Sequence, residues 1–257
     1  MPRSYRTGRW IGLCALLALL LLVASGAAAE GLIDLSHSAE GYVTVRQEPT
    51  ERKLLVTISK GDEVYTYPLS GAGKGESYPL QMGDGRYTLK VYRHLQGTQY
   101  LVIDRSEFDV RLSSPEVPYL YPSQYVNYNA GALAVQRAQS LCKNARSERE
   151  AADAVFNHIR KTIKYDKKKA RKVKVGYLPN PDQTLRTRKG ICFDYAALMA
   201  SMLRAQGIPT QLVIGYVNGK SYHAWNKVLI GGEWRLYDAT LAATGGKGKS
   251  YREERRY

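Results

Sequence analysis

The stretch Lys189-Gly190-Ile191-Cys192-Phe193-Asp194-Tyr195 decides the reading of this chain. Behind it, Ala196, Ala197, Leu198, Met199, Ala200, Met202 and Leu203 form an apolar helical body, closed by Gly207 with Pro209 two residues on. A glycine before the run and a Gly-x-Pro stop after it bound a helix whose first turn contains Cys192. The free backbone amides of such a turn carry partial positive charge, which favours the thiolate form that does nucleophilic work. Asp194, two residues on, suits capping that end rather than chemistry.

Three strands are expected next, over Thr210 to Val217, Ser221 to Ile230 and Glu233 to Thr240, parted by the turn pairs Asn218-Gly219 and Gly231-Gly232. A two-residue turn at Gly231-Gly232 sets Ile230 opposite Glu233, Trp225 opposite Asp238 and His223 opposite Thr240. His223 and Asp238 then share a face as diagonal neighbours, and a slip of one residue would separate them. A carboxylate that holds an imidazole beside a thiol is the arrangement of an activated nucleophile.

The set Gly190-Ile-Cys-x-Asp, Gly207-Ile-Pro, Gly215-Tyr216, His223-Ala-Trp and Asp238-Ala-Thr resembles the core of the transglutaminase-like superfamily, over roughly residues 130–240. The resemblance implies a papain-like arrangement with Cys192 as nucleophile, His223 as general base and Asp238 as orienting acid. It also implies acyl transfer through a thioester, in a peptidase or a transamidase. Many family sequences have Asp-Pro-Thr where this one has Asp238-Ala239-Thr240, a departure that spares the acid. The Cys192 amide is the natural first donor to the oxyanion. In relatives a second donor often lies upstream, and Tyr165, then Gln183, are the residues to test.

The other cysteine of the mature chain, Cys142, lies in an alanine-rich helical run with Leu133, Ala138 and Leu141, where a small buried hydrophobe is expected. A Cys142–Cys192 disulfide would consume the nucleophile.

Arg3, Arg6 and Arg9 precede an apolar run from Trp10 to Ala24, and Ala27-Ala28-Ala29 supplies small residues for cleavage. Residues 1–29 therefore read as a signal peptide, with secretion or display at a bacterial cell surface; an uncleaved anchor is the alternative. The full chain holds 38 Lys plus Arg against 23 Asp plus Glu, a formal charge of +15. Such a protein adheres to anionic surfaces. The densest run, Arg160 to Lys174, has nine basic residues and one acidic, Asp166. It is either a solvated helix end or a patch for an anionic cell-wall polymer, a membrane surface or an acidic peptide. Export and the lack of a recognised module argue against nucleic acid.

Short alternating segments at 41–47, 53–59, 63–69, 86–93, 99–103 and 108–112 point to an antiparallel β-sandwich of immunoglobulin or fibronectin type. The expected fold is α+β, with the sandwich at 30–114, a proline- and tyrosine-rich linker at 115–129, a transglutaminase-like domain at 130–243 and a flexible basic tail at 244–257. Two helices, Gly131 to Asn144 and Glu148 to Lys164, open the second domain, the latter with Ser147 and Glu150 as a capping box. His37, His94, His158 and His223 have no metal-ligand spacing, and Gly71-Ala-Gly73-Lys-Gly75 lacks the context of a phosphate loop. No cofactor or metal is expected. The reading is an exported thiol acyl-transfer enzyme on peptide or protein amides. The alternative is a surface binding or scaffolding protein that keeps the fold without turnover.

Overall fold

Residues 31–257 are described by a computed structural model. The signal expected at residues 1–29 lies outside the described residues. Among those described, no helix is long and apolar enough to cross a membrane.

Seven antiparallel strands make the first half. β1 (Ile33–Asp34), β2 (Tyr42–Val45) and β5 (Glu76–Pro79) form one sheet in the order β1-β2-β5. β3 (Leu54–Lys60), β4 (Glu63–Leu69), β6 (Gly85–His94) and β7 (Tyr100–Val110) form another in the order β4-β3-β6-β7. Alternation drives the packing: Leu54, Val56 and Ile58 of β3 are buried with Tyr65, Tyr67 and Leu69 of β4, and they meet Val43 and Val45 of β2 in one apolar core. The segments 99–103 and 108–112 are one strand, β7, with a register shift against β6 between Val91 and Tyr92. Its charged middle, Asp104 to Glu107, hides the strand pattern. That polarity suits an edge, since β7 pairs only with β6 in its sheet.

The segment 115–129 is packed rather than loose, with Tyr119, Gln124 and Val126 buried. Beyond it come α1 (Leu133–Cys142), α2 (Glu148–Thr162), β8 (Lys164–Tyr165), α3 (Lys167–Lys172), α4 (Pro181–Thr187), β9 (Lys189–Gly190) and α5 (Cys192–Arg204). β10 (Thr210–Val217), β11 (Ser221–Ile230), β12 (Glu233–Tyr237), α6 (Ala239–Thr244) and β13 (Tyr251–Arg256) complete the chain. The sheet order is β12-β11-β10-β13, antiparallel throughout. α5 is the central helix, buried from Asp194 to Arg204. On one side Leu198, Met199, Met202 and Leu203 pack against Val155 and Ile159 of α2. On the other, Ala196, Ala197 and Ala200 lie against Leu212 and Ala224. Small side chains on that face let the helix approach the sheet closely.

Two expectations are corrected. The strand expected to run to Thr240 ends at Tyr237, because Asp238 accepts the Leu241 amide at 2.8 Å and starts α6. The segment 244–257, expected as a flexible tail, contains β13, the edge strand beside β10. Gly215 permits this approach: a Cβ there would come within 2.0 Å of the Arg252 carbonyl oxygen. The buried Arg204 guanidinium donates to the carbonyls of Thr210, Tyr121 and Tyr257 at 2.9, 2.7 and 2.8 Å. One cation thus ties α5 to the 115–129 segment and to the residue after β13.

Candidate active site

Cys192 occupies the first helical position of α5, where an amide has no partner within the helix. The turn before it is tight. A Cβ on Gly190 would lie 2.7 Å from Asp194 Cβ, so glycine is the residue that fits. Asp194 is fully buried and accepts the Ile191 amide at 2.8 Å, the capping role expected of it. β8 pairs with β9 in parallel, Tyr165 opposite Gly190, which sets Tyr165 beside the Cys192 turn.

His223 faces Gly215 across the β10–β11 ladder, and Asn226 of β11 binds the Ala196 and Gln211 carbonyls at 3.0 and 3.2 Å. That amide fixes the strand of the imidazole to the helix of the thiol. The β11–β12 register sets Ile230 opposite Glu233 and Asn226 opposite Tyr237, so Asp238 follows the strand on the face of His223. His223 Nε2 donates to Asp238 Oδ2 at 2.9 Å. With Nε2 so engaged, Nδ1 remains for Cys192, which lines the same cleft as His223. Burial opposes the charged imidazole, but the bond to Asp238 and the charges of Asp238 and Cys192 prevail and push its pKa to about 9. At neutral pH the ring is an imidazolium against the sulfur.

Asp238 is held three ways. Oδ1 takes the Leu241 amide, while Oδ2 takes His223 and, at 3.1 Å, the Tyr251 hydroxyl. Tyr251 lies edge-on to the buried Trp225, whose ring stacks beside His223. Sequence reading missed Tyr251 because it sits among lysines and glycines; its sole signal is an aromatic in a charged run.

Cys192 and His223 open into a cleft of about 480 Å³ with aromatic walls, among them Tyr125, Tyr165, Tyr177, Phe193 and Tyr222. Tyr165 therefore lies in reach of the reacting centre. Gln183 does not: it is exposed on α4, where its backbone N–H donates to Asn180 Oδ1 at 2.9 Å, and it lines no part of the cleft. Cys142 and Cys192 are free thiols, and burial pushes the Cys142 thiol upward. Among the described residues no cluster of His, Cys, Asp and Glu could hold a metal ion.

Helix, sheet and cleft together define an α+β domain that presents a thiol, an imidazole and a carboxylate in one line. Residues 135–239 match the transglutaminase-like superfamily. Kyphoscoliosis peptidase of Mus musculus is 34% identical over 111 residues, 39% of this chain and 17% of its own length. Its Homo sapiens counterpart is 33% identical over the same span. This chain therefore spans under a fifth of the length of those relatives. A solved structure from Cytophaga hutchinsonii, described as a candidate cysteine protease, is 17% identical with a TM-score of 0.47, covering 84% of this chain and 76% of that one.

Proposed function

We propose that this protein is an exported thiol peptidase that cleaves peptide or protein amides through a thioester on Cys192. The observation that carries the reading is the 2.9 Å hydrogen bond between Asp238 and His223, with His223 and Cys192 lining one cleft. Sulfur attacks the amide carbon, and the developing oxyanion meets the Cys192 amide with Tyr165 beside it. As the C–N bond breaks, His223 gives its proton to the leaving amine. Water then attacks the thioester while His223 takes a proton, releasing the acid and restoring the thiol. Asp238 keeps the imidazole turned toward sulfur throughout.

Hydrolysis rather than transamidation is favoured by similarity to proteins named as peptidases. A cell-surface or secreted location is supported by the Arg-flanked apolar run and Ala27-Ala28-Ala29. The test is turnover of a peptide-amide library with and without a primary amine. Released acid in both conditions is the expected result, an amine adduct would assign a transamidase, and Cys192 that labels but turns nothing over would assign a binding protein. Amino-terminal sequencing of exported material should begin at Glu30; retained Met1 contradicts cleavage.

A further inference from the structure

The basic run that precedes α5 is one wall of the cleft. α3 is capped by Asp166, whose Oδ1 accepts the Lys169 amide at 2.8 Å. Lys169 Nζ then donates to the buried Asp194 Oδ2 and to the Tyr177 hydroxyl, both at 2.6 Å, and Tyr177 donates to Asp194 Oδ1 at 2.5 Å. Residues 167–177 are thereby tied to the first turn of α5, beside Cys192. Their apolar side chains lack cover: Val175 is fully exposed, and Val173 and Leu178 are more than a third exposed. Val173, Lys174, Val175 and Tyr177 line both the cleft and an adjoining hollow of about 420 Å³, which Lys172 also lines. No carboxylate lines either space. Among the described residues Lys167, Lys168, Arg171, Lys172 and Lys174 have no ion-pair partner, whereas Lys169 is spent on Asp194.

Resting on the acyl-transfer reading, we propose that α3 and residues 173–178 are a substrate-recognising wall that selects acidic peptides. An aliphatic or aromatic side chain near the attacked amide would cover Val173, Val175 and Tyr222, and carboxylates further along would meet Lys172 and Lys174. A purely anionic polymer would satisfy the lysines but leave those apolar groups in water, and a flat lipid surface would not follow Val173 and Val175 into the cleft they line with Cys192, so the trough fits a peptide better.

Peptide binding to the Cys192→Ala protein, followed by fluorescence anisotropy, tests this without requiring turnover. Peptides that share an aromatic residue and differ only in a Glu-Glu, Gln-Gln or Lys-Lys pair should rank in that order. The acidic one should bind about tenfold tighter than the neutral one, with the gap closing at high salt. Lys172→Glu with Lys174→Glu should remove the preference, while a charge-matched change far from the cleft, Arg52→Glu with Lys53→Glu, should keep it. Equal affinity for the three peptides overturns the proposal. So does loss, in the Lys172 and Lys174 variant, of binding to vesicles containing phosphatidylglycerol alone, with no peptide preference in the parent; that result assigns the wall to membranes. An acidic peptide that binds preferentially but is never cut by the wild-type enzyme supports the recognition wall and counts against the peptidase reading.

Discussion

The Tyr251 hydroxyl donates to Asp238 Oδ2 at 3.1 Å, the same oxygen that receives His223 Nε2 at 2.9 Å. The last strand of the sheet therefore reaches the carboxylate that orients the imidazole. Tyr251→Phe removes one hydroxyl and keeps the edge contact with Trp225. The expected outcome is a fall of about tenfold in kcat with KM unchanged, because the lost bond acts on His223 orientation and not on substrate binding. Steady-state kinetics check it, and a rise in KM alone would contradict a positioning role.

Gly215→Ala tests how β13 is held. A methyl group there meets the Arg252 carbonyl oxygen at 2.0 Å and the Trp225 ring at 3.0 Å, so β13 must move away from β10. Overpacking of this kind costs about 2 kcal/mol. Urea unfolding should show that loss, and kcat should fall further than in Tyr251→Phe since the whole strand is displaced.

His223 gives the pH dependence. Its folded pKa of about 9 lies above the ordinary histidine value near 6.5, so the folded protein holds this proton more tightly than the unfolded chain does. Its contribution to stability is complete below about pH 6.5 and is lost as pH rises through about 9. Amide cleavage should fall over the same alkaline range as the imidazolium loses the proton it gives the leaving amine. Denaturation midpoints and kcat measured from pH 6 to 10 check both, and in Asp238→Asn the alkaline limb should move to lower pH.

Lys169→Met leaves the Asp194 carboxylate buried without its cation. The expected destabilisation is about 3 kcal/mol, since removing one partner of a buried pair exposes the other to the full desolvation penalty. Adding Asp194→Asn to that variant should cost much less than it costs alone, because the two groups share one interaction. A denaturation cycle over the four proteins measures this coupling.

The parts legible in the sequence were those set by local rules. The Gly190 turn, the apolar body of α5 and the Gly-Pro stop mark the thiol helix, and the two Gly-containing turns fix strand parity well enough to put His223 and Asp238 on one face. The illegible parts depend on distant contacts. β13 reads as a solvated tail because its residues are mostly charged, and its place is set by β10, by Gly215, which admits the close approach, and by Val213, Val217 and Trp225, on which Tyr251 packs. α4 is short, and its side chains point Gln183 to solvent, a matter of helix phase that spacing alone does not reveal. The pairing of Lys169 with Asp194 joins residues 25 apart, and nothing in a run of lysines marks which one meets the buried carboxylate.

The central claim is that Cys192 carries the acyl group, and intact-mass analysis of the acid-quenched enzyme after brief mixing with a peptide amide tests it most directly. The account predicts an acyl adduct that peptide mapping places on Cys192, absent in Cys192→Ala and formed far more slowly in His223→Ala, while circular dichroism shows all three proteins folded. Cleavage that persists in Cys192→Ala, or an adduct mapped to Cys142, would contradict it.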